Sequence, residues 1–484
     1  MKPTHMCHPP RYCWLILALL FIPRSLQAQQ VIQAIDNPHS QADYVVISPP
    51  SYTMFMQDFA THRAATSNLR VVLVTTDAIY QIFGQGVRPD SAIRAFITYT
   101  LTSWSNPKPQ YFLLAGNVNT VPSHKEASLI PEFEDSVLVD QWFVEGVTDT
   151  VPYRRPAAAI GRLPGWDVPH MSILVWKIMQ YDQTSSTSWR SRALSVADYE
   201  VNSGNIFEYS AQRLQAILAP RWTDTISVHV RTTSPQHRTR AEFRTLWNNG
   251  AAIVTFTGLV NATVFSNSHF FASEDIDSLA DGSPFPMVRF LGSQRFDNRD
   301  TLCLAAKLML MPGKGAVCTL CPSGLAYFSG SQDFMERIAQ ALATNPGQSI
   351  GRIILDAKRE LSSDLALSRE TLLGDPALVI KNPLLAETHP EPEIPGVFAL
   401  HQNFPNPFNP STQIAFDLPQ SGVVTLKLFN LLGQEVGTLL SGSMNAGTHA
   451  YAFNADAFRL GSGIYFYRLS AGDFVQTRKM VLVK

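Results

Sequence analysis

The chain has 484 residues, 45% of them hydrophobic and 16% charged, which excludes a disordered protein and leaves length for roughly two to four domains. Lys plus Arg number 38 against 39 for Asp plus Glu, and no segment interleaves basic with aromatic residues. Nucleic acid is therefore not an expected partner.

The N-terminus, MKPTHMCHPPRYCWLILALLFIPRSLQAQQ, sets Lys2 and Arg11 ahead of an apolar run from Trp14 to Ile22 and a small residue, Ala28. This predicts a secretory signal peptide over residues 1–28. The alternative is a membrane anchor, but the run is too short for about 30 Å of hydrocarbon. No later segment is long and apolar enough to span, so no membrane span is expected after cleavage. Removing residues 1–28 takes away three basic residues, leaving 35 against 39 acidic, together with Cys7 and Cys13. Only Cys303, Cys318 and Cys321 remain, too few for a disulfide scaffold in an exported protein. Cys318 and Cys321 form a CxxC inside the strand-like run GKGAVCTLCPSG, with no second CxxC and no nearby His pair. Buried structural thiols are expected there rather than zinc, and no metal or cofactor is expected anywhere.

From residue 43, β-branched runs alternate with amphipathic segments. DYVVISPP, LRVVLVTT and PQYFLLAG read as strands, with SYTMFMQDFATHRAAT and DSAIRAFITYTLTSW as intervening helices. AAAIGRLP adds a strand, and the helix after it carries Ile173, Leu174, Lys177, Ile178 and Tyr181. The pattern restarts near Trp189: RALSVAD, DTISVHVR, AAIVTFTG, PFPMVRFLG and GAVCTLCPS are strands. IFEYSAQRLQAIL, RAEFRTLWNNG, DTLCLAAKLMLM and DFMERIAQALAT are the helices between or after them. The expected fold class is α/β, with two α/β/α sandwich subdomains over residues 29–188 and 189–380. Residues 381–396, rich in proline and glutamate without periodicity, read as a linker. Over residues 397–484, TQIAFDLP, GVVTLKLFN, QEVGTLLSG, GTHAYAFN, GIYFYRLSA and FVQTRKMVLVK are short strands separated by turns, predicting a small antiparallel β-sandwich.

Within that last region, LHQNFPNPFNPSTQIAFDLP, VTLKLFNLLGQEV, AGTHAYAFNA and SGIYFYRLSAGDFVQTRKMVLVK closely resemble the type IX secretion sorting domain. The resemblance implies an export address with no catalysis. It makes the type IX secretion machinery the partner of residues 397–484, and places the protein outside a Gram-negative cell or on its outer surface, by way of the periplasm. It also disfavours a component of the machinery itself, since this is the tail of its cargo.

DYVVISPPSY, AIRAFI, PQYFLLAGN followed by VP, AAIGRLP, WKIMQYD, NNGAAIVTFTG, RFDNRDTLCLAAKLML, GKGAV and LLGDPALVI stand in one order over residues 43–380. Together they resemble the gingipain-type cysteine peptidase family, which implies a caspase-like second subdomain. In that family a catalytic histidine follows a strand-Thr/Ser-Gly turn, and a cysteine nucleophile ends the next strand, five residues before an FD pair. The chemistry needs both: a thiol at its free pKa is a poor nucleophile, and an imidazole stabilises the thiolate and protonates the leaving amine. Here Thr257 and Gly258 are followed by Leu259, and counting back from Phe296 puts Leu291 at the nucleophile position. No intact catalytic residue is therefore expected.

The low-ranking substitutes are His269, ten residues beyond Leu259, and Cys303, read as lying within a helical run. Asn117 departs from the Asp common after the glycine of LLAG, and Gln294 from the usual glycine before xFD. The glycine-rich loop after the histidine is also missing, which puts the backbone donors of an oxyanion site in doubt. Asp140, in SVLVDQWF, stands at a recurrent acidic position of the first subdomain, where it lines a specificity cleft or caps a turn. Asn261 opens an NAT sequon that is uninformative in a bacterial export product. These residues predict an exported pseudopeptidase serving as a binding or structural module for an unknown protein or peptide ligand. The alternative is a working cysteine endopeptidase with relocated groups.

Overall fold

The computed structural model describes residues 35–84, 89–127, 136–146, 155–184, 188–199, 205–291, 303–324, 328–345, 347–361, 369–382, 397–403, 406–444 and 446–483. The expected signal peptide, most of the linker, Gln294 and Phe296 lie outside these residues. The chain divides into two compact units, residues 1–383 and 384–484.

The first unit is an α/β layered fold. Its first half runs β1 (Tyr44–Ser48), α1 (Thr53–Ser67), β2 (Val71–Thr75), α2 (Thr76–Phe83), α3 (Asp90–Ser103), β3 (Tyr111–Ala115), the hairpin β4 (His124–Ala127) and β5 (Ser136–Val139), β6 (Ala159–Leu163) and α4 (Val168–Gln183). Its second half runs β7 (Arg192–Ala197), α5 (Ile206–Leu218), β8 (Asp224–His229), α6 (Arg240–Asn248), β9 (Ile253–Thr257), a short hairpin of β10 (Val264–Phe265) and β11 (Phe271–Ala272), and α7 (Ser273–Asp277). It continues with β12 (Met287–Leu291), α8 (Leu304–Leu310), β13 (Cys318–Pro322), α9 (Phe328–Thr344), α10 (Ile350–Glu360) and β14 (Glu370–Leu373).

Local chemistry fixes several of these boundaries. Thr239 and Glu242 form a reciprocal capping box at the start of α6. Asp167 accepts from the His170 amide ahead of α4, and Ser349 from the Arg352 amide ahead of α10. The strands β1, β9, β12 and β13 are buried at every position, as expected where helices cover both faces of a parallel sheet.

The strand order is β2-β1-β3-β6-β14-β13-β12-β9-β7-β8. The two strand sets expected from sequence therefore share one continuous ten-stranded sheet. The join is β14, parallel to β6 through Leu373 and Arg162 and antiparallel to β13 over Thr319–Pro322. Lys177, read as part of an apolar helical stripe, is buried, and its ammonium donates to the carbonyls of Leu308 (2.9 Å) and Met309 (2.7 Å) at the end of α8. An amine donor at a helix C-terminus satisfies carbonyls that the helix leaves open, so α4 grips the second half through this contact, although burial lowers the Lys177 pKa well below that of an ordinary lysine.

The second unit is antiparallel. It holds β15 (Ala399–Leu400), β16 (Ser411–Leu418), β17 (Gly422–Phe429), β18 (Glu435–Met444), β19 (Gly447–Asn454), β20 (Gly463–Ala471) and β21 (Phe474–Leu482). They form a three-stranded sheet, β15-β16-β19, and a four-stranded sheet, β18-β17-β20-β21. Burial alternates strictly along β16 and most of β17, and Ile414, Phe416, Leu426, Leu428 and Leu469 meet in one core. The Tyr467 hydroxyl is buried with them, donating to the His401 carbonyl (2.7 Å) and accepting from the Asn403 amide (2.6 Å). This is the small β-sandwich expected from the period-two pattern.

Candidate functional site

Three adjacent parallel strands end in register, with Ala197 of β7 opposite Thr257 of β9 and Thr257 opposite Leu291 of β12. Ligands of open α/β sheets bind beyond such carboxyl ends. Leu291 thus closes β12 beside Thr257, two residues before Leu259 on the neighbouring strand. Leu259 stands at the rim, 38% exposed, whereas Leu291 is buried.

The turn that carries Leu259 is held by Asp198, the residue after β7. Its amide donates to the Thr257 carbonyl (2.9 Å), and its carboxylate accepts from the amides of Tyr199 (2.7 Å) and Leu259 (3.2 Å). Burial pushes this carboxyl above the ordinary range, with opposing help from Ser266 and the two amides. A Cβ at Gly258 would lie 2.1 Å from the Asp198 Cβ, so no other residue fits between strand and turn. Beyond it the chain folds back at once: Ser266 donates from its amide to the Leu259 carbonyl (2.8 Å), and the Asn261 side chain accepts from the amides of Thr263 and Val264. The Thr257 hydroxyl is buried, with no hydrogen-bond partner among the described residues.

Alternation along β12 sends its side chains to two layers. Phe290 stacks on Phe256 at 5.0 Å between ring centres, within an aromatic cluster that includes Phe271 and Trp247. Arg289 and Leu291 share the opposite face, where the fully buried Arg289 pairs with Glu370 of β14 (2.7 Å) and lies over the ring of Phe334 of α9. Burial raises the Glu370 carboxyl, with Arg289 and Lys358 opposing. It lowers the Lys358 ammonium to about 8, although that group donates to the Gln141 side chain and to the Glu370 carbonyl. A charged residue inside an apolar strand, as in MVRFL and ETLL, is the sequence signal that marks this cluster.

The substitute groups differ in burial. His269 is exposed in a left-handed turn (φ 55°), its amide on the Ser266 carbonyl. Cys303 is buried and precedes α8 as its N-cap, its sulfur accepting from the Ala306 amide (3.5 Å), which corrects its expected place inside the helix. Cys318 and Cys321 are buried free thiols, and burial is the largest influence pushing both well above the ordinary range. A nucleophile requires the reverse shift.

Asp140 follows β5 at the N-cap of the turn Gln141–Val144, where its carbonyl accepts from the Phe143 amide (3.1 Å). It is buried and grips Arg162 of β6 with both oxygens (2.7 and 2.6 Å), while Arg162 also donates to the carbonyls of Gly116 and Val121. Its side chain makes no capping bond to the turn that follows. A carboxylate sealed from water needs a cation at hydrogen-bonding distance, and β6 supplies it. The cavity that Asp140 borders, with Gln141, Lys358 and Glu370, measures about 20 Å³, room for a single water and not for a peptide side chain. Asn117 closes a local turn, its side chain accepting from the amides of Asn119 and Thr120. Among the described residues, no cluster of His, Cys, Asp or Glu is placed to hold a metal, and no helix is long and apolar enough to cross a membrane.

The sequence model of peptidase family C25 matches residues 37–381. The chain belongs to this family. A secretion system C-terminal sorting domain matches residues 402–484, marking this C25 protein for type IX secretion to the cell surface or the extracellular space. No curated protein matches the chain in sequence. Among solved structures, the Arg specific cysteine proteinase gingipain R (RgpB) is similar with a TM-score of 0.60 at 16% identity, over 94% of this chain and 100% of that one. The complex of Porphyromonas gingivalis RgpB pro- and mature domains gives 0.60 at 16% identity, over 91% and 100% of the two chains. A further protease structure gives 0.57 at 12% identity, over 92% and 97%. At these identities the likeness carries the gingipain fold to this C25 chain, and nothing finer.

Proposed function

We propose that this C25 protein is an exported pseudopeptidase, acting outside the cell as a binding or structural module for a protein or peptide ligand. The observation that carries the reading is the pair Leu259 and Leu291 at the ends of adjacent parallel strands, where the resemblance calls for histidine and cysteine. Leucine has no proton to exchange and no lone pair to attack a carbonyl, so neither half of a thiolate-imidazole mechanism is available there. The described thiols do not make up the loss, because each is buried. Tyr199, with Arg231 over its ring, and Leu259 are each 38% exposed just beyond the ends of β7 and β9, where a ligand of such a sheet would bind.

Incubation of the purified full chain with a broad peptide library, with and without prior alkylation of its thiols, tests the reading. The expected result is no cleavage above that of the heat-denatured chain. Cleavage that alkylation abolishes would establish the working endopeptidase with relocated groups instead.

A further inference from the structure

The hairpin between β17 and β18 presents two leucines to solvent. Leu431 is 67% exposed and Leu432 83% exposed. The turn that carries them is rigidly built from Asn430. Its side-chain oxygen accepts from the amides of Leu432 (3.0 Å) and Gln434 (3.0 Å), its backbone carbonyl accepts from the Gly433 amide (3.0 Å), and its own amide donates to the Gln434 carbonyl (3.0 Å). A further bond joins the two side-chain amides (2.8 Å), and Gly433 takes the left-handed conformation that ends such a turn (φ 77°).

Nothing in that bonding requires leucine at the two apical positions, since the turn is held by Asn430, Gln434 and backbone. Solvent would favour polar residues there. The adjacent charges, Lys427 and Glu435, pair with each other at 2.8 Å and present no net charge beside the tip. The other exposed large apolar residues on the strands of this sheet, Val423, Ile464 and Val475, stand on strands that also carry Lys427, Arg468, Arg478 and Lys479, and not at a turn. A preorganised, uncharged pair of leucines has the properties of an interface anchor, because little conformational freedom is lost when it is seated.

We propose that Leu431 and Leu432 are the knob by which the sorting domain docks into an apolar socket of the type IX secretion machinery. The occupant is fixed by the domain that bears the knob, which is the export address of the chain. The inference rests on the sorting domain alone, so it stands or falls separately from the pseudopeptidase reading.

The test is export of the full chain from cells that possess a type IX system, comparing parent, L431S/L432S and V423S/V475S. The serine pair at the turn is expected to lower the extracellular amount at least tenfold, with the full-length chain accumulating in the periplasm, while the strand pair is exported like the parent. Parental export of L431S/L432S overturns the proposal, as does an equal loss from V423S/V475S. If the serine pair lowers the melting temperature, L431M/L432M and L431Q/L432Q, of similar length, decide the matter: export with methionine and not with glutamine supports the socket, and equal export overturns it. Binding of the parent to phosphatidylcholine vesicles that the serine pair abolishes would assign the knob to lipid, also overturning it.

Discussion

Two strands of the large sheet, β9 and β14, end in a glycine pressed against a neighbouring side chain, and they differ in what comes next. After β9, Gly258 fits against Asp198 and is followed by Leu259, an apolar residue at the rim. After β14, Gly374 (φ 145°) leaves only 2.5 Å between a built Cβ and the Cys318 Cβ, and is followed by Asp375, fully buried. Asp375 accepts from the Tyr44 hydroxyl (2.7 Å), the Ala377 amide (2.8 Å) and Arg63, whose guanidinium also reaches Asp182 of α4. Asp375 fastens β1 and α1, and through Arg63 also α4, to β14, whereas the turn after β9 sets a leucine at the rim. Under the proposed reading, the closure made by Asp375 is kept while the chemistry of the neighbouring strand ends is lost.

The largest expected effect breaks the closure. Asp375→Ala leaves Arg63 and Tyr44 buried without their main acceptor, and removal of one partner from a buried pair costs about 3 to 5 kcal/mol. Urea unfolding of the full chain is expected to show that loss in the first unit, whereas Leu259→Ser at the rim stays within about 0.5 kcal/mol of the parent.

A second effect is read through pH. Lys358 titrates at about 8 in the folded chain, against 10.5 for an ordinary lysine, because burial outweighs the attraction of Glu370 and Glu145. Between these values the unfolded chain holds a proton that the folded chain lacks, so this group makes stability rise with pH from about 8 to about 10.5; below 8 both states are protonated and its contribution is flat. Lys358→Met is expected to remove that rise, seen as a smaller gain in melting temperature between pH 8 and 10. The smallest effect concerns Thr257, whose hydroxyl is buried without a partner among the described residues. Thr257→Val keeps the shape and removes the unpaired group, and is expected to be neutral or stabilising by about 1 kcal/mol in thermal unfolding.

Much of the fold was legible because its signals are local. VVLVT, IVTFT and MVRFL are dominated by aliphatic, β-branched and aromatic residues, a run that marks buried strands locally. The single sheet was not legible. Its join depends on Leu373 of the four-residue β14 pairing with Arg162 of β6 some two hundred positions earlier, and no periodicity records such a partner. At the site, Leu259 and Leu291 were found by counting from motifs, and the sheet register sets their strands side by side. Asp198 carries no sequence signal beyond that of a turn residue, because a single Asp ending a strand reads as one, and the pairing of Asp140 is hidden because Arg162 lies 22 positions away on another strand.

The most direct test of the central claim is to return the two groups. In Leu259→His/Leu291→Cys, the thiol introduced at position 291 should be alkylated by iodoacetamide at neutral pH at least tenfold faster than in Leu291→Cys alone, because the adjacent imidazole stabilises its thiolate. Equal rates in the two variants, with both folded, would show that positions 259 and 291 do not form a dyad site, and would contradict the account.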